Sequence, residues 1–247
     1  MTYDLRLPRL LTARGTVAAI VLGALAVIAT GWAGLVLLFA FFLPSSLVSR
    51  VSRPPEAGLD PKGETRDAGQ VLANGLAPAL GAAVAAWVGP AGLAWLVLTG
   101  GLAVAAADTW ATAIGSRSSR PPRHLVTGRT VPRGTNGGVT LLGTAGAGAG
   151  ALVVGFAALL RPAAQPMLAA IIIGMTGMFL DAALGGVLQG QFYCERCGLP
   201  SEWPRHRCGA RTIQVGGIRW LTNDAVNAMA TLAGALAGAG WWVLASR

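Results

Sequence analysis

A chain of 247 residues that is 53% hydrophobic and 12% charged, with a mean hydropathy of +0.58, is too apolar for a water-soluble domain. It reads as a polytopic integral-membrane protein, one domain over residues 1–247 with an all-α fold. The formal net charge of +9 does not signal nucleic acid. The arginines sit between apolar segments, where membrane orientation and anionic headgroups explain them, and no basic platform interleaved with aromatics accompanies them.

Arg6, Arg9 and Arg14 precede an apolar run over residues 16–43. The run imitates a secretory signal, but it exceeds a signal's apolar core and Thr30-Gly31-Trp32-Ala33-Gly34 offers no convincing cleavage site, so it is expected to be retained. As one helix it would measure about 42 Å against a hydrocarbon core of about 30 Å, which leaves one tilted span or two short helices broken near Gly31. Parity favours two. The connections 50–66, 117–133 and 194–219 are all basic, so the positive-inside rule places them in the cytoplasm together with the N-terminus. The next spans are Ala68–Val88, 91–114, 138–160, 167–188 and 223–244. Gly89-Pro90 and Arg161-Pro162 turn outside. The total is about seven transmembrane helices, with the N-terminus cytoplasmic and the C-terminus outside.

Asp108 ends the run Gly101-Leu-Ala-Val-Ala-Ala-Ala. An ionised aspartate in a membrane helix costs about 2.5–3.5 kcal/mol, which makes it a functional candidate awaiting a counter-charge. Asp181 and Asp224 repeat the arrangement. Polar partners recur at helical spacing: Asp67, Gln70 and Asn74; Asp108 and Thr112; Asp181 and, eight residues on, Gln189; Asn223 and Asn227. Four helices thus bring polar stripes to one side of the membrane. Three aspartates with amide and hydroxyl neighbours supply hard oxygen ligands, which suit Mg²⁺ bridged to phosphate oxygens. Lys62, the sole lysine, and Arg66 open the third span on that side, and Arg129-Thr-Val-Pro-Arg133-Gly-Thr-Asn136-Gly-Gly138 leads into a helix whose free N–H groups suit an anion. The bland alternatives are a buried neutral Asp108, Asp224 as a helix cap, Asn74 and Asn227 as interhelical glue, and arginines that only set topology.

All three cysteines lie in the connection 191–219, as Cys194-x₂-Cys197-x₈-His206-x-Cys208. A Cys₃His set suits a structural Zn²⁺. The alternative is a polar loop with chance cysteines.

At these residues the chain resembles the phytyl-phosphate kinase family of membrane proteins. The matching segments are Gln70-Val-Leu-Ala-Asn-Gly75, Ala107-Asp-Thr-Trp-Ala-Thr112, Arg123-His-Leu-Val-Thr-Gly with Gly134-Thr-Asn-Gly-Gly138, the Asp181 segment, and Trp220-Leu-Thr-Asn-Asp-Ala-Val-Asn227. One position departs: Ala113 stands where the family usually carries an acidic residue. The family is similar in its aspartate segment to CTP-dependent lipid kinases and cytidylyltransferases. The resemblance implies a nucleotide-dependent step, with CTP or ATP as donor, on an isoprenyl monophosphate.

The functional expectation is phosphoryl transfer giving the isoprenyl diphosphate. Asp108 and Asp181 would hold Mg²⁺, with Asp224 a third or water-mediated ligand. Lys62, Arg66, Arg129 and Arg133 would hold phosphates, and Asn74, Asn136, Asn223 and Asn227 would orient them. The isoprenoid tail would lie between small-residue helices such as Gly143-Thr-Ala-Gly-Ala-Gly-Ala-Gly150. Rival readings are cytidylyl transfer onto a lipid phosphate and a lipid-phosphate transporter. A homodimer is left open.

Overall fold

The computed structural model describes residues 10–50, 52–53, 65–161 and 163–246. Among them, seven helices are long and apolar enough to cross a membrane: α1 (Ala13–Thr30), α2 (Trp32–Ser49), α3 (Ala68–Val88), α4 (Ala91–Gly115), α5 (Leu141–Ala158), α6 (Pro166–Val187) and α7 (Asn223–Ala245). The long first run is indeed two helices of 18 residues each, about 27 Å apiece. Gly31 separates them at φ 65, a left-handed conformation that glycine adopts without a Cβ penalty.

Hydroxyl or carboxylate caps start every second helix. Thr12, Asp67, Thr140 and Thr222 accept backbone N–H bonds from Gly15, Gln70, Gly143 and Ala225 at the starts of α1, α3, α5 and α7. The chain departs from a purely helical reading only in its connections. Helix α5 begins at Leu141 rather than 138 because β2 (Gly138–Val139) pairs antiparallel with β1 (Arg123–His124). After α6, β3 (Gln191–Cys194), β4 (Leu199–Ser201) and β5 (Ile213–Gly216) form a sheet in the order β4-β3-β5.

Helix α4 is the hub. Every residue from Ala94 to Ala107 is buried, as expected of a helix that is apolar on all faces. It touches the other six helices, which follow one another around it in the order α1, α3, α7, α6, α5, α2 and back to α1. Glycines set two of these seams. A Cβ on Gly143, Gly146 or Gly150 of α5 would lie 2.8 Å from the carbonyl oxygens of Ala111, Trp110 or Ala106. On α7, Gly238 lies so close to the Leu96 carbonyl that a Cβ would collide with it, and a Cβ on Gly234 would sit 2.8 Å from the Gly100 oxygen. Small residues let the backbones meet this closely. The seams of α4 with the glycine faces of α5 and α7 are thus packed backbone to backbone.

Two buried polar side chains tie helices together by donating to backbone carbonyls of neighbouring helices. The fully buried Trp95 donates through Nε1 to the Ala158 carbonyl at 2.9 Å, and Thr231 donates to the Ala73 carbonyl at 2.9 Å.

The long connections gather at one end of the bundle. Thr12 N–H donates to the Arg66 carbonyl at 3.1 Å, joining the chain start to the α2–α3 connection. Arg53 N–H donates to Ser116 Oγ at 2.8 Å, joining that connection to the one after α4. The opposite end carries the tight turn at Gly89-Pro90 and Arg161, whose guanidinium lies 5.9 Å from the Trp95 ring centre and beside Gly31.

Candidate functional site

Among the long connections lies a cavity of about 410 Å³, within the size range of small-molecule sites. Its walls come from six helices. Helix α3 contributes Gln70 and Asn74, α4 contributes Asp108, Thr109 and Thr112, α5 contributes Thr144, α6 contributes Asp181, and α7 contributes Asn223 and Asn227; Ser49 comes from α2. The i, i+4 pairs Gln70/Asn74, Asp108/Thr112 and Asn223/Asn227 each present two polar groups on one face, one turn apart. Arg66, Arg133 and Asn136 reach the same cavity from the connections. Eight of the residues singled out in the sequence therefore converge: Arg66, Asn74, Asp108, Arg133, Asn136, Asp181, Asn223 and Asn227.

Two others, Asp224 and Arg129, are placed elsewhere. Asp224 does not line the cavity. One residue past Asn223 the helix has turned by about 100°, which sets the Asp224 carboxylate against Gly69, with Oδ2 2.7 Å from where a Cβ there would sit. The three aspartates consequently do not form one ligand cluster among the described residues. Arg129 is exposed in the β1–β2 loop, where its carbonyl accepts the His124 N–H at 2.8 Å. Lys62 lies outside the described residues.

The glycine-rich approach to α5 places Asn136. Gly134 and Gly137 adopt φ 89 and 76, open to glycine at little cost. A Cβ on Gly137 would come within 2.7 Å of Gly186 Cα and 3.0 Å of the Ala182 carbonyl. The loop is thus pressed onto α6 one residue from Asp181. His124 fastens the same loop, with Nε2 3.3 Å from the Gly186 carbonyl.

The two arginines differ in freedom. Arg133 donates from Nη1 to the Ser116 carbonyl at 3.2 Å and to the Ser118 carbonyl, and from Nη2 to the Ser119 carbonyl at 3.4 Å. It ties off the C-terminal end of α4, where a positive charge complements the helix dipole. Arg66 lies over the Phe41 and Phe42 rings at 5.5 and 5.8 Å, a cation–π arrangement. Burial lowers its guanidinium to about 10, which leaves it charged at neutral pH.

On the cavity wall, Gln70 Oε1 is buried and accepts no hydrogen bond among the described residues. Asn74, also buried, donates from Nδ2 to the Gln70 carbonyl at 2.8 Å. An orphaned buried acceptor in a polar cavity is a cost that a donor or cation from a ligand would relieve.

Sequence reasoning overlooked Arg53, Glu202 and the role of Gln189, all of which line the cavity. Gln189 carried a signal, since it lies two turns beyond Asp181 at the end of an apolar helix. Arg53 and Glu202 carried none, because they arrive from connections whose course only the fold defines.

Beyond the cavity, the ligand atoms of Cys194, Cys197, His206 and Cys208 all lie within 4.8 Å of one another. The neighbouring His206 imidazole holds the Cys208 thiol down at about 6, while the neighbouring Cys208 pushes Cys197 up to about 11.

Comparison with known proteins places the chain among membrane proteins. It is 28% identical over 233 residues to an uncharacterized membrane protein of Methanocaldococcus jannaschii, covering 93% of this chain and 85% of that one. It is also 28% identical over 230 residues to Protein PGR of Arabidopsis thaliana, covering 79% and 77%. An uncharacterized membrane protein of a Synechocystis species is 28% identical over 233 residues, covering 92% and 81%. No solved structure matches. The family model described as integral membrane protein DUF92 matches residues 2–235, and this chain, with its seven membrane-length helices, belongs to that family.

Proposed function

We propose that this protein is a membrane-embedded isoprenyl phosphate kinase, transferring a phosphoryl group from CTP or ATP to an isoprenyl monophosphate. The observation that carries the reading is a single cavity at one end of an apolar bundle, into which two separate helices bring Asp108 and Asp181, ringed by amides and arginines. A terminal oxygen of the isoprenyl monophosphate attacks the γ-phosphorus. The bond from that phosphorus to its bridging oxygen breaks, and nucleoside diphosphate leaves. The attacking oxygen is already ionised near neutral pH, so no strong base is required, and positioning with charge neutralisation supplies the rate.

The donor set fits Mg²⁺: two carboxylates, amide and hydroxyl oxygens, and the orphaned Gln70 Oε1 are all hard oxygen ligands. When bound, the ion would neutralise charge shared between the phosphates. Asp108 and Asp181 are its proposed holders. Arg66 holds phosphate by charge, Arg133 adds charge while closing the end of α4, and Asn74, Asn136, Asn223 and Asn227 orient oxygens by hydrogen bonding. Ala113, at the position where an acidic residue is expected from the resemblance, also lines the cavity, and Glu202 brings a third carboxylate to its wall.

The cavity at one end of the bundle also favours chemistry over a carrier, whose site usually lies near the bilayer midplane. The test is to offer the purified protein in detergent phytyl, geranylgeranyl and farnesyl monophosphates with CTP or ATP and Mg²⁺. Nucleoside diphosphate together with isoprenyl diphosphate is the expected product pair. Pyrophosphate release would replace the proposal with cytidylyl transfer, and no turnover with any pair would remove the kinase reading.

A further inference from the structure

The connection between α6 and α7 contains two tight turns of similar design. In the first, Cys194 ends β3, Cys197 follows, and Gly198 turns at φ 66 with its N–H donating to the Cys194 carbonyl at 2.8 Å. In the second, His206 and Cys208 are followed by Gly209 at φ 83, whose N–H donates to the His206 carbonyl at 2.8 Å. The two turns face each other. The shorter His-x-Cys half, like the Cys-x₂-Cys half, closes on a glycine with positive φ.

Three observations point to a metal. All four ligand atoms fall within 4.8 Å of one another. Cys194 and Cys208 Sγ are 3.7 Å apart, too far for a disulfide of about 2.05 Å but close to the edge of about 3.8 Å that tetrahedral Zn–S bonds of about 2.3 Å generate. His206 is 3% exposed, and its Nε2 finds no hydrogen-bond partner among the described residues. A buried imidazole with an unmet nitrogen beside three thiols is costly without a ligand.

The surrounding sheet gives the metal something to do. Its strands have four, three and four residues, and its interior is chiefly Phe192 and Cys194. A module this small rarely holds together by apolar burial alone. It joins the bundle where Gly190 N–H donates to the Leu221 carbonyl at 3.0 Å and Ile218 N–H to the Leu188 carbonyl at 2.8 Å. Glu202, just after β4 and four residues before His206, lines the cavity.

We infer that Cys194, Cys197, His206 and Cys208 form a closed tetrahedral Zn²⁺ site that fastens the β4-β3-β5 sheet to the α6 and α7 ends and holds Glu202 at the cavity wall. The site is structural, since all four positions are filled by protein.

Elemental analysis of the full-length protein, purified in detergent without metal-binding tags, should find about one zinc per chain. Zinc content should fall at least tenfold in Cys194→Ser and in Cys208→Ser. Protein produced with Co²⁺ should show the visible d–d bands of tetrahedral cobalt with thiolate charge transfer. In the unaltered protein the three thiols should resist maleimide until a strong chelator is added, a readout that does not depend on any variant folding. Wild-type protein free of zinc with three freely reactive thiols would overturn the proposal. So would iron in place of zinc, or zinc retained by both serine variants.

Discussion

Asp108 and Asp181 are the residues on which the proposed chemistry turns. Each sits half-buried at the same cavity, on a different helix. Replacing either by asparagine keeps shape and hydrogen-bonding capacity while removing charge. Asp108→Asn and Asp181→Asn should each lower phosphoryl transfer by about 100-fold or more, with an unchanged elution profile in detergent. Asp224→Asn is the contrasting variant: its carboxylate faces Gly69 outside the cavity wall, so activity should stay within about tenfold of the parent, a difference of about 1.4 kcal/mol. Equal losses in all three would mean that the α7 carboxylate joins the site. Arg66 makes a second case. Its planar guanidinium covers Phe41 and Phe42, an arrangement that a lysine ammonium does not reproduce. Steady-state kinetics of Arg66→Lys should show KM for the phosphate substrates rising about tenfold, equivalent to about 1.4 kcal/mol, with a smaller change in kcat.

Among the elements, α4 decides the architecture, and glycines decide how its neighbours approach it. Gly238 meets the Leu96 carbonyl across the α4–α7 seam, whereas two residues on Gly240 faces open space. The pair isolates packing from helix propensity. Gly238→Ala should destabilise the protein by about 1–3 kcal/mol through overpacking, read as a lowered thermal midpoint in detergent. Gly240→Ala, which gains helix propensity and meets nothing, should be neutral or stabilising by up to about 1 kcal/mol. No loss at Gly238 would show that the seam is loose.

At the scale of the whole molecule, the seven candidate spans among the described residues are an odd number. The connections that form the cavity carry Arg53, Arg66, Arg117, Arg120, Arg123, Arg129, Arg133, Arg196, Arg205, Arg207, Arg211 and Arg219, against Arg161 at the other end of the bundle. The positive-inside rule predicts that the cavity faces the cytoplasm. A reporter that fluoresces only in the cytoplasm should be dark when fused after residue 247, and alkaline phosphatase fused there should be active. The reverse pattern would invert the orientation and separate the cavity from cytoplasmic nucleotide.

The apolar spans, the break at Gly31, the helix starts at Ala68 and Asn223 and the polar stripes were readable from residue order. Hydropathy and capping act over a few neighbouring residues, and the bilayer imposes helices on any apolar run of sufficient length. Which carboxylates share a cavity was not readable, because one step along α7 separates Asn223, inside the cavity, from Asp224, outside it. That choice depends on helix rotation, which is set by glycine contacts between segments far apart in the chain. The same long-range packing brought the small-residue seams into backbone contact, folded 191–216 into a sheet around its cysteines, and carried Arg53 and Glu202 to a wall that their own neighbours in the chain never suggest.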